Sequence, residues 1–468
     1  MGCQQPQRTL AQELTWREET VNQELTRAVE GLMPQALDDL AALVAMRSVA
    51  DERVEDPEEL AKAARWVVNA CDELGFASRL APTPDGTDTV IAHYEGPKGT
   101  PKVLLYSHYD VQPAPTRGWE TDPWVLSQKG DRFYGRGAAD CKGNIVAHLT
   151  ALRALRQTQG SYPCSITMVV EGSEEQGTAG LERYVEANPE EFSADVMIIG
   201  DVGNIDVGIP TLTVALRGMV SLIVTVSTTA TQLHSGAFGG AVPDAATALI
   251  SILASMHDDR GNVTIDGLDN AATWMGGAYE ESRFVRDAGL LDGVERIGSG
   301  TVADQLWARP ALTVIGVDLP GVEGAVPALQ PSARAQISLR IPPGVDPEHA
   351  RSVLVDHVRN AAPWGVQVEC EPAGMGSPYA ANTDSHAFRV LQQAMEDAFG
   401  HPAQTSGQGG SIPLTAALFQ AHPDAEIVMI GVADPACRMH AENESVHPGE
   451  IQGMALAEAL FLQNLHKR

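Results

Sequence analysis

The sequence predicts an α/β fold in which a mixed, mainly parallel sheet lies between helices, interrupted by an inserted α+β domain with an antiparallel sheet. Three observations predict it. Strand-like apolar runs alternate with helix-period segments up to about Leu212, the pattern of an α/β sheet. The texture then changes, because Thr213-Val-Ala-Leu-Arg-Gly and Val220-Ser-Leu-Ile-Val-Thr-Val-Ser-Thr alternate like a half-solvated antiparallel sheet. After Val366-Gln-Val-Glu the α/β character returns. With 468 residues the chain exceeds one ordinary core. The expected division is 1–212 with 375–468 for the first domain and 213–374 for the insert.

Taken in order, Leu10 to about Val49 reads as helical with a break near Pro34. Its apolar face runs through Leu37, Leu40 and Val44, with Leu43 beside it. A second helix follows around Leu60 to Leu74. Thr89–His93 and Val103–Ser107 read as strands, the latter running into His108. A helix at 145–156 leads to the strand Ser165–Val170, which runs into Glu171-Gly-Ser-Glu-Glu175. A helix near Leu181–Ala187 precedes Asp195-Val-Met-Ile-Ile-Gly-Asp201. In the insert, a helix at Pro243–Met256 is followed by a long irregular stretch, the strand Ala333–Ile341 and a helix near Pro347–Arg359. A helix at about Ser385–Phe399, the strand Ala425–Gly431 and a last helix complete the chain. No internal repeat or low-complexity segment interrupts this order.

The chain is organised around Gly135-Arg-Gly-Ala-Ala-Asp140-Cys-Lys-Gly-Asn144. This glycine-rich loop opens directly into a helix, so Asp140 sits at a helix N-terminus, where unpaired N–H groups favour an anion. Composition narrows the partners. A net charge of −29 opposes a nucleic-acid partner or an anionic membrane surface. The six cysteines, Cys3, Cys71, Cys141, Cys164, Cys370 and Cys437, show no paired spacing, which suits a reduced compartment. Met-Gly-Cys-Gln-Gln-Pro lacks an apolar leader or a lipidation pattern, and no apolar run reaches membrane-spanning length. The expected compartment is the cytoplasm.

Ligands in open α/β sheets gather beyond the carboxyl ends of the strands. Four such ends here carry metal-capable side chains: His108, Glu174-Glu175, Asp201, and His440 in the loop after the last strand. Asp140 adds a fifth position. Two imidazoles and three carboxylates suit a borderline divalent ion such as zinc, and a carboxylate can bridge two ions. Asp110, two residues after His108, is placed to accept that ring's second N–H. Each residue alone has an ordinary structural explanation; four matching strand ends gathered with Asp140 do not. His93, His148, His257, His422 and His447 lack such placement and are read as structural.

These residues carry a resemblance. Leu104-Leu-Tyr-Ser-His108-Tyr-Asp110-Val-Gln-Pro113, Trp119 with Pro123-Trp124, and Tyr134-Gly-Arg-Gly-Ala-Ala-Asp140-Cys-Lys-Gly143 resemble the di-zinc metallopeptidase family of glutamate carboxypeptidase, aminoacylase and carnosinase. Glu171-Gly-Ser-Glu-Glu175-Gln-Gly, Asp201, His234-Ser-Gly-Ala-Phe-Gly-Gly-Ala-Val-Pro243, Gly409-Gly-Ser-Ile-Pro413 and His440-Ala-Glu-Asn-Glu444 continue the match in order.

The resemblance implies that Asp140 bridges two divalent ions, zinc with manganese or cobalt as alternatives. His108 and Asp201 would complete one site, Glu175 and His440 the other. It implies a catalytic set of Glu174, Asp110 and His234, with Glu174 as general base toward a metal-bridging water. His234 would reach from the inserted lid and dimerisation domain into the partner subunit of a homodimer to stabilise the oxyanion. Arg340, Gly410 and Ser411 would hold a substrate carboxylate, and the peptide bond Asp140-Cys141 would be cis. Cys141 stands where the family commonly has Asp, Asn or Met, and Glu442 replaces a more usual Gln or Pro. Cys141 is read as a small packed residue rather than a nucleophile. The stretch after Ala325-Val-Pro327 also departs from the family form.

The closest likeness is to the dipeptidase branch, whose reaction is hydrolysis of a dipeptide with a free C-terminal carboxylate. A deacylase of N-acyl amino acids would use the same groups. A non-catalytic peptide- or metal-binding protein is the alternative of another class, and the intact Glu174 counts against it.

Overall fold

Runs of residues buried on both faces place four parallel strands at the centre of one compact unit. The structure is a computed structural model describing residues 10–115, 117–410 and 412–466, with side chains from residue 22 onward except that of Pro413. Two compact units result, Met1–Thr213 with Ala381–Thr405 and Ala417–Arg468, and Val214–Ala380 with Ser406–Ala416.

In the first unit the strands Lys102–His108, Ser165–Glu171, Val196–Gly200 and Glu426–Ile430 run parallel. Val103 to His108 and Val196 to Gly200 are buried without a break, as expected of strands covered on both faces. Asp88–Tyr94 joins antiparallel beside Ser165–Glu171, and Ala77–Pro82 pairs antiparallel with it. The sheet is therefore mixed and mainly parallel. The helices Leu10–Ala45, Lys142–Gln159, His386–Phe399 and Pro448–Asn464 pack on one another, while Pro57–Glu73 packs on the antiparallel strands. Asp56 caps that last helix by accepting the amide of Glu58, and Pro57 occupies its first position.

The break expected near Pro34 does not occur: Leu10–Ala45 is a single helix. Leu25, Val29, Leu32, Ala36, Leu40 and Leu43 form a continuous buried seam through the proline. That burial outweighs the loss of one backbone hydrogen bond. Leu37 lies to the side of this seam, half-buried.

The second unit is built on an antiparallel sheet in the order Ala311–Asp318, Ser332–Ile341, Gly218–Ser227, Gln367–Gly376. The helices Ala245–Ala254 and Pro347–Asn360 close its core, with Val220, Leu222, Leu249, Ile252, Ile337 and Leu354 all fully buried. Asp244 and Asp346 cap the two helices through the amides of Thr247 and His349. The edge strand Ala311–Asp318 falls inside the stretch expected to be irregular. Its outer residues are exposed, and its register slips between Val314 and Gly316. Among the described residues no helix is long and apolar enough to cross a membrane.

Candidate metal centre

The parallel strands of the first unit end in register, and their ends carry the polar side chains. His108 stands opposite Glu171, and Gly200 stands opposite Ile430 with Asp201 following it at once. The fully buried His108 ring places Nε2 3.0 Å from Asp140 Oδ1 and 3.3 Å from Asp201 Oδ1. The other oxygen of Asp140, Oδ2, lies 3.0 Å from His440 Nε2, which is 3.1 Å from Glu175 Oε2. Two donor groups result, His108, Asp140, Cys141 and Asp201, and Asp140, Glu175 and His440, each with its atoms within 4.8 Å of one another. Asp140 belongs to both.

Asp110 performs two tasks. Its carbonyl oxygen is 3.0 Å and its Oδ1 3.3 Å from His108 Nδ1. The same carboxylate accepts the amides of Glu174 and Glu175 at 3.1 and 3.0 Å. One buried anion thus orients a ring on one strand end and the turn Glu174–Gln176 after another.

The electrostatics show an excess of negative charge. Burial pushes the carboxyls of Asp110 and Asp201 above the usual range. Burial first, then the charge of Asp201, pushes Glu174 up to about 8. Burial would also raise Asp140, but hydrogen bonds from His108 and His440 hold it well below the usual range. His440 is raised to about 10 by its bonds to Asp140 and Glu175. His108 would be lowered by burial, yet the surrounding negative charge, that of Asp201 included, lifts it well above its usual value. Carboxyls pushed toward protonation beside imidazoles pushed toward the cation are the condition that a bound cation relieves. The residues therefore fit divalent metal, and two imidazoles with three carboxylates are a suitable donor set.

Three supporting residues were assigned no role by the sequence, although Gln112 and Glu444 lie inside motifs that carry the resemblance. Glu444 is fully buried and accepts the amides of Gly137, Ala139 and Asp140 at 2.9, 3.0 and 3.1 Å, with Arg136 Nη1 at 2.7 Å. It reaches that place because Ser445–Val446 pairs with Arg132–Tyr134. Gly137 turns there at φ +81°, where a Cβ would stand 2.6 Å from Val111. Gln112 donates to Glu175 Oε2 at 2.8 Å. Asp85 accepts from Ser173 Oγ at 2.7 Å and from Thr178, holding both ends of the segment that presents Glu174.

The peptide bond Asp140-Cys141 is cis. The Cys141 thiol donates to the carbonyl of Gly200 at 2.9 Å, and burial pushes it up to about 12, so it is a packed group and no nucleophile. Lys142 points away from the donors and ties the carbonyls of Leu43 and Met46 at 2.9 and 2.8 Å. His148 bonds Glu458 and the carbonyl of Tyr106, and His422 bonds that of Pro189.

His234, Arg340 and Gly410 lie in the second unit. His234 is exposed, its Nδ1 accepting the amide of Gly236 at 3.1 Å. Arg340 is half-buried on the strand Ser332–Ile341, and Gly410 is exposed. Ser411 lies outside the described residues.

Comparison with known proteins gives the chain's relatives and its family. The chain is 42% identical over 454 residues to a cysteinylglycine-S-conjugate dipeptidase of Corynebacterium striatum, covering 96% of each. It is 29% identical over 393 residues to the human Beta-Ala-His dipeptidase, covering 78% of this chain and 75% of that protein. Its fold matches the di-peptidase Dug1p of Saccharomyces cerevisiae with a TM-score of 0.77 at 21% identity, over 96% of this chain and 99% of that one. It also matches human carnosine dipeptidase 1, with a TM-score of 0.75 at 23% identity over 95% and 99%. Residues 104–464 match the family described as Peptidase family M20/M25/M40, and the chain belongs to that family of metallopeptidases.

Proposed function

We propose that the chain is a metal-dependent dipeptidase hydrolysing the amide bond of a dipeptide with a free C-terminal carboxylate. The observation that carries the reading is Asp140, whose two oxygens each meet a different imidazole at 3.0 Å. A carboxylate shared in this way suits a pair of ions, with His108 and Asp201 on one side and Glu175 and His440 on the other. Zinc is the ion this donor set favours, with manganese and cobalt as alternatives. Divalent ions held there would polarise the amide carbonyl and bring the pKa of a water down toward ~7.

The remaining work falls to the chain. Glu174, held by Asp110 through its own amide, takes the proton of the attacking water and delivers it to the leaving amine. Burial and the charge of Asp201 raise Glu174, and divalent ions held beside it would return it toward the ionised form that a base needs. Arg340, with Gly410 and Ser411, holds the substrate carboxylate, a guanidinium being the group that grips one bidentately. The relative from Corynebacterium striatum makes S-substituted cysteinylglycine the first substrate to try.

We assign the first unit the catalytic role and the second a lid and dimerisation role. The exposed edge strand Ala311–Asp318 supports a homodimer, since Val314, Ile315 and Val317 stand 39, 55 and 47% exposed on an unpaired sheet edge. His234 would then act in the partner's site. The cytoplasm is the compartment consistent with five free cysteines among the described residues.

Four measurements test this. Glu174→Gln lowers dipeptide hydrolysis by about 10²–10⁴-fold while metal content is unchanged; turnover surviving in the metal-loaded variant removes Glu174 from the role of base. In the same assay dipeptides are cleaved in preference to N-acyl amino acids, and the reverse preference moves the protein to deacylation. Glu444→Gln weakens metal binding by about 10–100-fold in competition with a chromophoric chelator, and an unchanged affinity denies Glu444 its positioning role. Metal affinity rises with pH, because His440, raised to about 10, carries a proton at neutral pH that ligation must expel. Calorimetry in two buffers of different ionisation enthalpy reads the released protons, and identical heats would contradict the assignment of His440. Light scattering finds a dimer that Ile315→Glu dissociates, and His234→Ala lowers turnover in the intact dimer. A monomeric parent chain, or an unimpaired His234→Ala dimer, ends the cross-subunit role.

A further inference from the structure

The second unit contains a cavity of about 430 Å³ that the hydrolytic reading does not use. Its walls are mainly apolar, with Val263, Phe284, Leu290 and Leu312 among them. Val294 and Ile297 line it while remaining 54 and 68% exposed, so the cavity opens toward solvent along that segment. Volume and lining match sites for small organic ligands, which run to about 300–1,000 Å³ and are apolar with few polar groups.

The charged groups facing this space are unbalanced. Three guanidiniums, Arg217, Arg296 and Arg309, line it against the single carboxylate of Glu295, which is exposed. Two of the three are engaged by the protein. Arg309 donates to the carbonyls of Ala272 and Ser299 at 2.7 and 2.6 Å, and Arg296 bonds Gln305 and the carbonyl of Gly300. Arg217 is different. It is 8% exposed, and among the described residues its Nε has no partner and its Nη1 reaches only the carbonyl of Gln305 at 3.4 Å. No carboxylate among the described residues pairs with it, and the charge it feels is the like charge of Arg340. Burial first, then Arg340, brings it down to about 10. A buried cation without an anion is expensive, and a ligand anion removes that cost.

We propose that this cavity binds a small apolar monocarboxylate, its carboxylate on Arg217 and its hydrocarbon body among Val263, Phe284, Leu290 and Leu312. A single unpaired guanidinium in an apolar surround selects a monoanion over a phosphate, whose several charges would need more donors. The carboxylate has two available sources, a free acid or the C-terminal end of a peptide.

The test is calorimetry on the full chain with phenylbutyrate and, as its uncharged counterpart, phenylbutanol. The acid binds at least about tenfold more tightly than the alcohol, and Arg217→Gln abolishes the difference. Ile297→Trp, at an exposed position on the mouth, weakens both ligands by filling the opening. The proposal fails if acid and alcohol bind alike, or if a folded Ile297→Trp chain binds the acid with unchanged Kd. Should Arg217→Gln fail to fold, Ile297→Trp and the acid–alcohol comparison decide alone. Because binding is read directly, absence of dipeptide hydrolysis leaves this test intact. In a turnover assay, competition of phenylbutyrate with dipeptide assigns the site to a peptide's own C-terminal residue, and a non-competitive effect assigns it to a free acid; either pattern presupposes and supports the site.

Discussion

The carboxylate of Glu444 is the interaction on which the candidate metal centre depends. Its two oxygens gather three amides and a guanidinium from the segment Arg136–Asp140. Nothing else in that loop repeats: it has no ladder of its own, and Gly137 takes a conformation most residues avoid. A single buried anion therefore replaces the regular hydrogen bonding that a strand or helix would provide. Since Glu444 lies four residues past His440, the same contact ties the segment that carries His440 to the loop that carries Asp140. Arg132 strengthens this arrangement by gripping Asp434 with both arms at 3.1 and 2.8 Å.

Around that anchor the protein concentrates charge where a fold would ordinarily avoid it. Asp110, Asp140, Glu171 and Asp201 are largely or wholly inaccessible; burial pushes Asp110, Glu171 and Asp201 up, while the imidazoles of His108 and His440 hold Asp140 down against it. Backbone amides and imidazoles compensate part of this, and cations are the natural remainder. The second unit carries the opposite imbalance on a smaller scale at Arg217. In both places a tightly packed scaffold has left one sign of charge unanswered, which is how ligand sites differ from structural ion pairs.

Much of this was legible in the chain. The parallel strands announced themselves because burial on both faces demands unbroken apolar runs, and the chemistry had to begin where those runs ended, at His108, Glu174 and Asp201. Glu444, Gln112 and Asp85 were illegible for the converse reason. Their partners are distant in sequence or follow no periodicity, so no local pattern gives them their supporting roles. The helix runs through Pro34 because the tertiary seam from Leu25 to Leu43 overrides local propensity, and no local pattern carries that seam. The edge strand Ala311–Asp318 escaped notice because Thr313-Val-Ile-Gly-Val lacks the two-residue alternation of a half-buried strand, and its register slip removes what remains.

The order of residues along the chain has a consequence for biosynthesis. His108, Asp140, Glu175 and Asp201 all precede the inserted unit, whereas His440 and Glu444 follow it. A nascent chain displays four donors long before the loop that completes and clamps them exists. Until the strand Glu426–Ile430 joins Val196–Gly200 and the helix Pro448–Asn464 packs on Lys142–Gln159, those groups lack the later segment that surrounds them in the fold. A complete donor set is therefore a property of the finished fold, made when the later segment closes over the earlier ones.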